Sequence, residues 1–200
     1  MNFSSKLIRR IKIEISRRVG PVMVDGWITS DGRKLKNVRY GSTTYFQYKD
    51  RIEMSDHVFI AQYSNLDGSR GLKIGEGCQI GFYVMLTTHS SHKSIRLYGS
   101  RYPQPKMIGM QEGSVDIGAY SFIGPHSIVM PNTKIGKGSI VAAYSYVSGK
   151  FPDFAIISGN PAKVVGDTRK IDAKLLKEHP DLRTYYNEWA EPEASHSDLT

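Results

Sequence analysis

The stretch IGAYSFIGPHSIVMPNTKIGKGSIVAAYSYV, residues 117–147, decides the fold. Ile117, Ile123, Val129, Ile135, Val141 and Val147 fall six residues apart without a break. A small residue follows the aliphatic one at Gly118, Gly124, Gly136 and Ala142, and Ser121, Ser127, Ser139 and Ser145 hold the fifth place. An amphipathic strand alternates every two residues and a helix repeats near 3.6, so neither produces a strict six. One aliphatic side chain per six suits a coil of three short strands joined by tight corners, each strand sending one side chain into a narrow interior. A single coil cannot bury such a column, whereas stacked coils can.

Working outward, Ile60 and Leu66 and then, after two extra residues, Ile74, Ile80 and Leu86 carry the same series upstream, with Ala61, Gly75 and Gly81 beside them. An aliphatic residue, then Gly, two variable residues and a small one resembles the repeat of the hexapeptide-repeat acyltransferases over residues 52–166. That resemblance implies a left-handed parallel β-helix, an all-β solenoid, assembled as a homotrimer with active sites between neighbouring subunits. Periodicity alone fixes neither the hand nor the assembly.

The period breaks once. Leu86 and Ile117 are 31 residues apart, and the segment between them carries two His, two Arg and two Tyr. A loop expelled from a repeating core, here residues 88–114, marks functional sequence more often than an ordinary surface loop does. It opens on Thr88-His89-Ser90-Ser91-His92, with Arg96 seven residues after His89. This is similar to the segment of the maltose and galactoside O-acetyltransferases, and of related polysaccharide O-acetyltransferases, in which a catalytic His opens the loop. The resemblance implies His89 as general base for a hydroxyl attacking the acetyl thioester of acetyl-CoA. An imidazole, with an ordinary pKa of about 6.5, suits that task. His92 and Arg96 are candidates to bind the saccharide acceptor. Asp67 and Asn65, in an earlier coil, are candidates to orient the imidazole or hold an acceptor hydroxyl, although Asp and Asn also serve corners for turn reasons alone.

After Val147 the repeats stop and IISGNPAKVVGD, residues 156–167, follows. Gly159-Asn160-Pro161-Ala162-Lys163 resembles the closing motif of the family, which implies an acetyl-CoA site with Lys163 as a cation for its phosphates. On the same alignment Pro125, Ala143 and Ser148 line the pantetheine arm. Pro125 lacks an N–H, so it can contribute only its carbonyl or ring. Arg169 and Lys170 extend the basic patch.

The flanks are less regular. Residues 1–51 read as an N-terminal helix over 3–19 followed by short strands with turn signals at Asp25-Gly26 and Asp31-Gly32, and residues 167–200 as a C-terminal helix and tail. The helix, with Leu7, Ile8, Ile11, Ile15 and Val19 between basic residues, is read first as docking on the body or on another subunit; it also suits peripheral contact with an anionic membrane. A net charge of +8 calls for anionic partners. Nucleic acid is disfavoured, because the basic residues cluster at the termini without a stacking-aromatic motif. One cysteine, Cys78, fits a cytoplasmic setting, at most peripheral to the inner face of the membrane. Three alternatives stand beside the O-acetyltransferase reading: N-acetylation of a nucleotide-linked amino sugar or of an antibiotic, a metal-dependent carbonic anhydrase, and a non-enzymatic scaffold. The second needs three His ligands, and His89 and His92 have no repeat-related third; no metal is expected.

Overall fold

The computed structural model describes residues 19–103 and 105–191. The helix read over residues 3–19 lies almost wholly outside them. Three parallel faces wrap one core. Face one stacks β2 (Lys34–Gly41), β5 (Phe59–Ile60), β8 (Gln79–Ile80), β13 (Phe122–Ile123), β16 (Ile140–Val141) and β19 (Ala155–Gly159). Face two stacks β3 (Tyr45–Gln47), β6 (Asn65–Asp67), β9 (Met85–Leu86), β14 (Ile128–Val129) and β17 (Tyr146–Val147). Face three stacks β4 (Ile52–Met54), β7 (Leu72–Ile74), β12 (Val115–Ile117), β15 (Thr133–Ile135) and β18 (Lys150–Phe151). The solenoid expected from the period of six is thus present, and β2 and β3 carry its stacking N-terminal to residue 52.

The aliphatic series forms the core: Ile60, Leu66, Ile80, Leu86, Ile123, Val129, Ile135, Val141 and Val147 are all 0% exposed. The fifth-place serines are buried and join successive coils. The Ser121 hydroxyl donates to the Gly136 carbonyl at 3.0 Å and accepts the Ser139 N–H at 3.2 Å. Ser127 repeats this with the Ala142 carbonyl and the Ser145 N–H. Each hydroxyl therefore satisfies two buried backbone groups at a corner. The glycines mark the closest approach of coil to coil: a Cβ on Gly118 would lie 2.4 Å from the Lys137 nitrogen.

Three corners alternate along each coil. Corner one follows Ile74, Ile117 and Ile135; corner two follows Ile80, Ile123 and Val141; corner three follows Leu86, Val129 and Val147. Three residues past the aliphatic position the backbone is left-handed, as at Tyr83 (φ 58°), Tyr120 (φ 56°), His126 (φ 59°), Asn132 (φ 62°) and Tyr144 (φ 60°).

The outward rows differ by face. Face three carries Glu53, Lys73, Asp116, Lys134 and Lys150 in register, with Lys73 and Glu53 paired at 2.9 Å. Faces one and two present Phe59, Gln79, Phe122, Ile140 and Ile156, and Tyr45, Asn65, Met85, Ile128 and Tyr146.

Both ends of the solenoid are closed, as stacked repeats require. An antiparallel hairpin of β1 (Met23–Ile28) and β2 turns at Asp31-Gly32, while Gly26 sits in a β-bulge rather than the turn its sequence suggested. Trp27 from this hairpin packs on Tyr40 and Phe46 beneath the first coil. At the far end β19 turns back into β20 (Ala162–Asp167), then α2 (Thr168–Glu178) and α3 (Arg183–Ala190). Pro180 separates the two helices. Among the described residues no helix is long and apolar enough to cross a membrane.

Substituting Gly118→Ala should lower unfolding stability by about 1–3 kcal/mol, because the neighbouring coil must move to admit the methyl group. Gly20→Ala, with open space around it, should be near neutral. Urea unfolding of the two variants checks the difference.

Candidate active site

The excursion from the repeat leaves and returns at corner three. It runs from Thr88 through β10 (His89–Ser90), the short α1 (Ser94–Tyr98) and β11 (Gln111–Glu112) to Gly113. β10 and β11 pair antiparallel, His89 opposite Glu112, and the Gly113 N–H donates to the Thr88 carbonyl at 3.0 Å. β12 then regains register with β7 as if nothing had been inserted. The exit is fixed from both sides. Arg70 holds the Glu112 carboxylate at 2.6 Å, and the Asn132 amide donates to the Glu112 carbonyl at 2.6 Å. His89 therefore stands on a two-strand ribbon tied to the coils above and below it.

Beneath His89 lies a buried carboxylate. One Asp67 oxygen accepts from the His89 Nδ1 at 2.8 Å, the Thr88 hydroxyl at 2.7 Å and the Thr88 N–H at 2.9 Å. The other accepts the Ser69 N–H at 2.8 Å. The Ser69 hydroxyl lies 3.0 Å from both the Thr88 hydroxyl and the His89 Nδ1. Burial pushes the Asp67 carboxyl up, but the hydrogen bonds from Ser69 and Thr88 outweigh it and hold the pKa at about 2. An ionised carboxylate only accepts, so the Nδ1 facing it carries the proton. The neutral ring then keeps its lone pair on Nε2. The His89 side chain is 38% exposed and that of Asp67 only 5%, so the ring is open to a reactant and its partner is shielded.

The other predicted residues are placed as follows. His92 is exposed and its Nδ1 meets the Ser90 hydroxyl at 2.9 Å. Arg96 donates to the His92 carbonyl at 2.6 Å, which ties the loop to itself. Asn65 is half-buried in the outward row of face two, two residues before Asp67. Pro125 and Ala143 share corner two, and the Pro125 carbonyl already accepts the Tyr144 N–H at 3.0 Å. Ser148 is exposed at corner three, and Lys163 is exposed on β20 opposite Ser158. Arg169 is committed to Asp167 at 2.5 Å, at the N-terminus of α2. Asp67 and His89 thus come together, whereas Pro125 and Ala143 lie one face away from them.

Sequence reasoning gave no role to Ser69, Arg70, Thr88 or Glu112. Two signals pointed there: the two extra residues between Leu66 and Ile74, which place Ser69 and Arg70 outside the period, and the place of Glu112 at the loop's exit. Arg70 and Glu112 also line a recess of about 430 Å³ with Pro105, Lys106, Met107 and Met110. A larger recess of about 580 Å³ lies between the hairpin tip at Thr29–Arg33 and face three and contains no histidine. Among the described residues no three His, Cys, Asp or Glu are grouped as a metal site.

Fold and site together define a hexapeptide-repeat solenoid whose one long loop opens on a carboxylate-backed histidine. Residues 114–149 match the family model described as bacterial transferase hexapeptide (six repeats). The chain is 31% identical, over 59% of its length, to the putative lipopolysaccharide biosynthesis O-acetyl transferase WbbJ of Escherichia coli K12. It is 27% identical, over 63%, to the dTDP-4-amino-4,6-dideoxy-D-glucose acyltransferase of Escherichia coli. It spans 58% and 64% of those two relatives. Among solved structures it shares its fold with the hexapeptide-repeat acetyltransferase VCA0836 of Vibrio cholerae complexed with acetyl-CoA. There the TM-score is 0.54 at 24% identity, over 62% of this chain and 64% of that one.

The low pKa of Asp67 has a measurable consequence. Its ordinary value is about 3.9. Ionised Asp67 therefore contributes stability that is complete above about pH 4 and is lost as the pH falls through its folded value of about 2. Thermal unfolding of wild type and Asp67→Asn should show a gap at pH 5 that narrows steadily toward pH 2.

Proposed function

We propose that this chain is an acetyl-CoA-dependent O-acetyltransferase that acts on a saccharide hydroxyl, in the modification of a surface polysaccharide, with His89 as general base. The observation that carries the reading is the buried Asp67 carboxylate on the His89 Nδ1 at 2.8 Å, which leaves Nε2 basic and open. In the reaction, Nε2 takes the proton of the acceptor hydroxyl while its oxygen bonds to the thioester carbonyl carbon. The carbon–sulfur bond then breaks, and the coenzyme thiolate leaves with the proton held by the imidazolium. Such assistance is worth about 10²–10⁴-fold. Asp67 acts as a positioning residue, holding the tautomer and stabilising the imidazolium. Ser69 and Thr88 hold Asp67.

The acceptor is assigned to the side of the loop, where Arg70 and Glu112 line a recess with Lys106 and two methionines, Glu112 standing opposite His89 across the ribbon. Arg and a carboxylate bind sugar hydroxyls, and the thioethers and Pro105 suit a ring's apolar face. His92, Arg96 and Asn65 are read as acceptor-side residues. The donor is assigned to Pro125, Ala143, Ser148 and Lys163. One face of the solenoid separates the corner of Pro125 and Ala143 from that of His89, so a site that uses both takes them from different copies. The largely apolar outward rows of faces one and two suit such contact, and a homotrimer is the assembly proposed. A buried, unpaired Cys78 suits a cytoplasmic protein.

The E. coli relatives are named for an O-acetyl transferase and for an acyltransferase of an amino sugar, so the test must separate hydroxyl from amine. Purified protein is given acetyl-CoA and a panel of saccharides, nucleotide-linked amino sugars and antibiotics, and products are read by mass. A gain of one acetyl group on a saccharide hydroxyl is expected. His89→Ala should lower kcat by about 10²–10⁴-fold, and Asp67→Asn should lower kcat with little change in KM. Near-wild-type turnover by His89→Ala, with loss in His92→Ala, would overturn the assignment of the base.

A further inference from the structure

Corner two carries a continuous column of rings, one from each successive coil. Tyr63 stacks on Tyr83 at 5.1 Å and 8°, Tyr83 on His126 at 4.8 Å and 12°, and His126 on Tyr144 at 4.9 Å and 1°. All four residues are left-handed, with φ between 58° and 63°. That conformation costs a side-chain-bearing residue roughly 1–2 kcal/mol. Gly77, Gly138 and Asn132 occupy equivalent corner positions elsewhere, so rings are kept at corner two against a local cost.

Corner one shows how this chain covers such rings when it does so itself. There Tyr120 and Phe154 alternate with Gly77 and Gly138, and Trp189 of α3 stacks on Tyr120 at 4.7 Å and lies 5.9 Å from Phe154. Gly138 makes the room, since a Cβ on it would lie 3.0 Å from the Trp189 ring. Among the described residues nothing covers corner two in this way.

The column also stops at Tyr144, which has one stacked ring partner. In the next coil the place above Tyr144 falls to Asn160, but there the chain turns back from β19 into β20, with Gly159 paired to Ala162. Tyr144 is 72% exposed, against 46% for Tyr63 and 50% for Tyr83. His126 fills one face of its ring. The turn stays close by, as the Gly159 N–H donates to the hydroxyl of Ser145, the next residue. Lys163, just beyond the turn, has no ion pair among the described residues.

We infer that the open face of Tyr144 is a stacking platform for the adenine of the coenzyme, which would extend the column by one ring. The inference rests on the acetyl-CoA reading above and adds to it a residue that recognises the nucleotide end of the donor. A flat ring linked to phosphates is the ligand that an exposed ring suits when a lysine follows the neighbouring turn, and base-on-aromatic stacking is sequence-tolerant and strong enough to matter.

The test compares donors with and without the nucleotide. For Tyr144→Ala, KM for acetyl-CoA should rise on the order of tenfold, while KM for S-acetylpantetheine stays at the wild-type value; Tyr144→Phe should restore acetyl-CoA to near wild type. Equal effects on both donors, no effect on either, or failure of the Phe variant to restore would overturn the platform. So would a change in assembly size of Tyr144→Ala by light scattering, which would give the ring to a subunit contact instead. If the wild type uses neither donor, the acetyl-transfer reading fails separately. Calorimetry with adenosine 3′,5′-bisphosphate then decides the platform alone: binding by wild type and about tenfold weaker binding by Tyr144→Ala support it, and any other result overturns it.

Discussion

The backbone of each coil lies directly on the backbone of the next, and the rest of the molecule follows from that contact. It leaves no room for a side chain at Gly118, where an added Cβ would sit 2.4 Å from the Lys137 nitrogen. It also sends the aliphatic residue of every hexad into a dry interior and forces the corner residues into left-handed backbone. Buried backbone groups at the corners then need partners, which the fifth-place serines supply. The period of six is therefore a packing condition imposed on each strand in turn, and its regularity gives a rigid frame.

A rigid frame permits a site to be built by interruption. Between β9 and β12 the chain inserts a loop, yet β12 pairs with β7 in register. The loop's two ends are consequently fixed to within the tolerance of the solenoid, and His89 stands at one of them. The two extra residues after Asp67 do a smaller version of the same thing. They let Ser69 donate its N–H to one carboxylate oxygen of Asp67 while Thr88, from the next coil, donates to the other. Four donors around one buried carboxylate keep it ionised, and the ionised carboxylate orders the ring. The chain of cause runs from coil stacking to loop anchoring to the proton on Nδ1.

The fold was legible because its signal is local and repeated: six aliphatic residues at one spacing leave few alternatives. His89 was legible as a candidate because it opens the one long break in the series. Asp67 was visible as a candidate to orient the imidazole, but its contact with His89 could not be told from a turn role, because a corner aspartate that orders a turn and one that meets an imidazole look alike in sequence. Ser69, Arg70 and Glu112 were hidden for a different reason. They make contacts between coils or across the loop, 18 to 42 residues apart, and the period gives the step to the next coil without saying which side chains bond across it. Gly26 shows the same limit in miniature, since an Asp-Gly pair marks a positive φ without saying whether it closes a turn or forms a bulge.

The three corners divide the molecule's work, and the division bears on how the proposed site is completed. Corner one is closed by the chain's own Trp189. Corner three carries the loop and the dyad. Among the described residues nothing covers corner two, with its ring column and the largely apolar rows beside it, while face three carries a charged row in which Lys73 pairs with Glu53. Corners two and three cannot meet within one solenoid, because a face of packed core lies between them. Contact between them joins different patches on two copies, and a contact of that kind stays finite only if the rotation closes into a ring. In the proposed homotrimer, three solenoids around one axis would bring each copy's corner two to a neighbour's corner three. This is the arrangement in which Asp67–His89 of one copy and Pro125 and Ala143 of another would face a single donor, with Tyr144 at its nucleotide end.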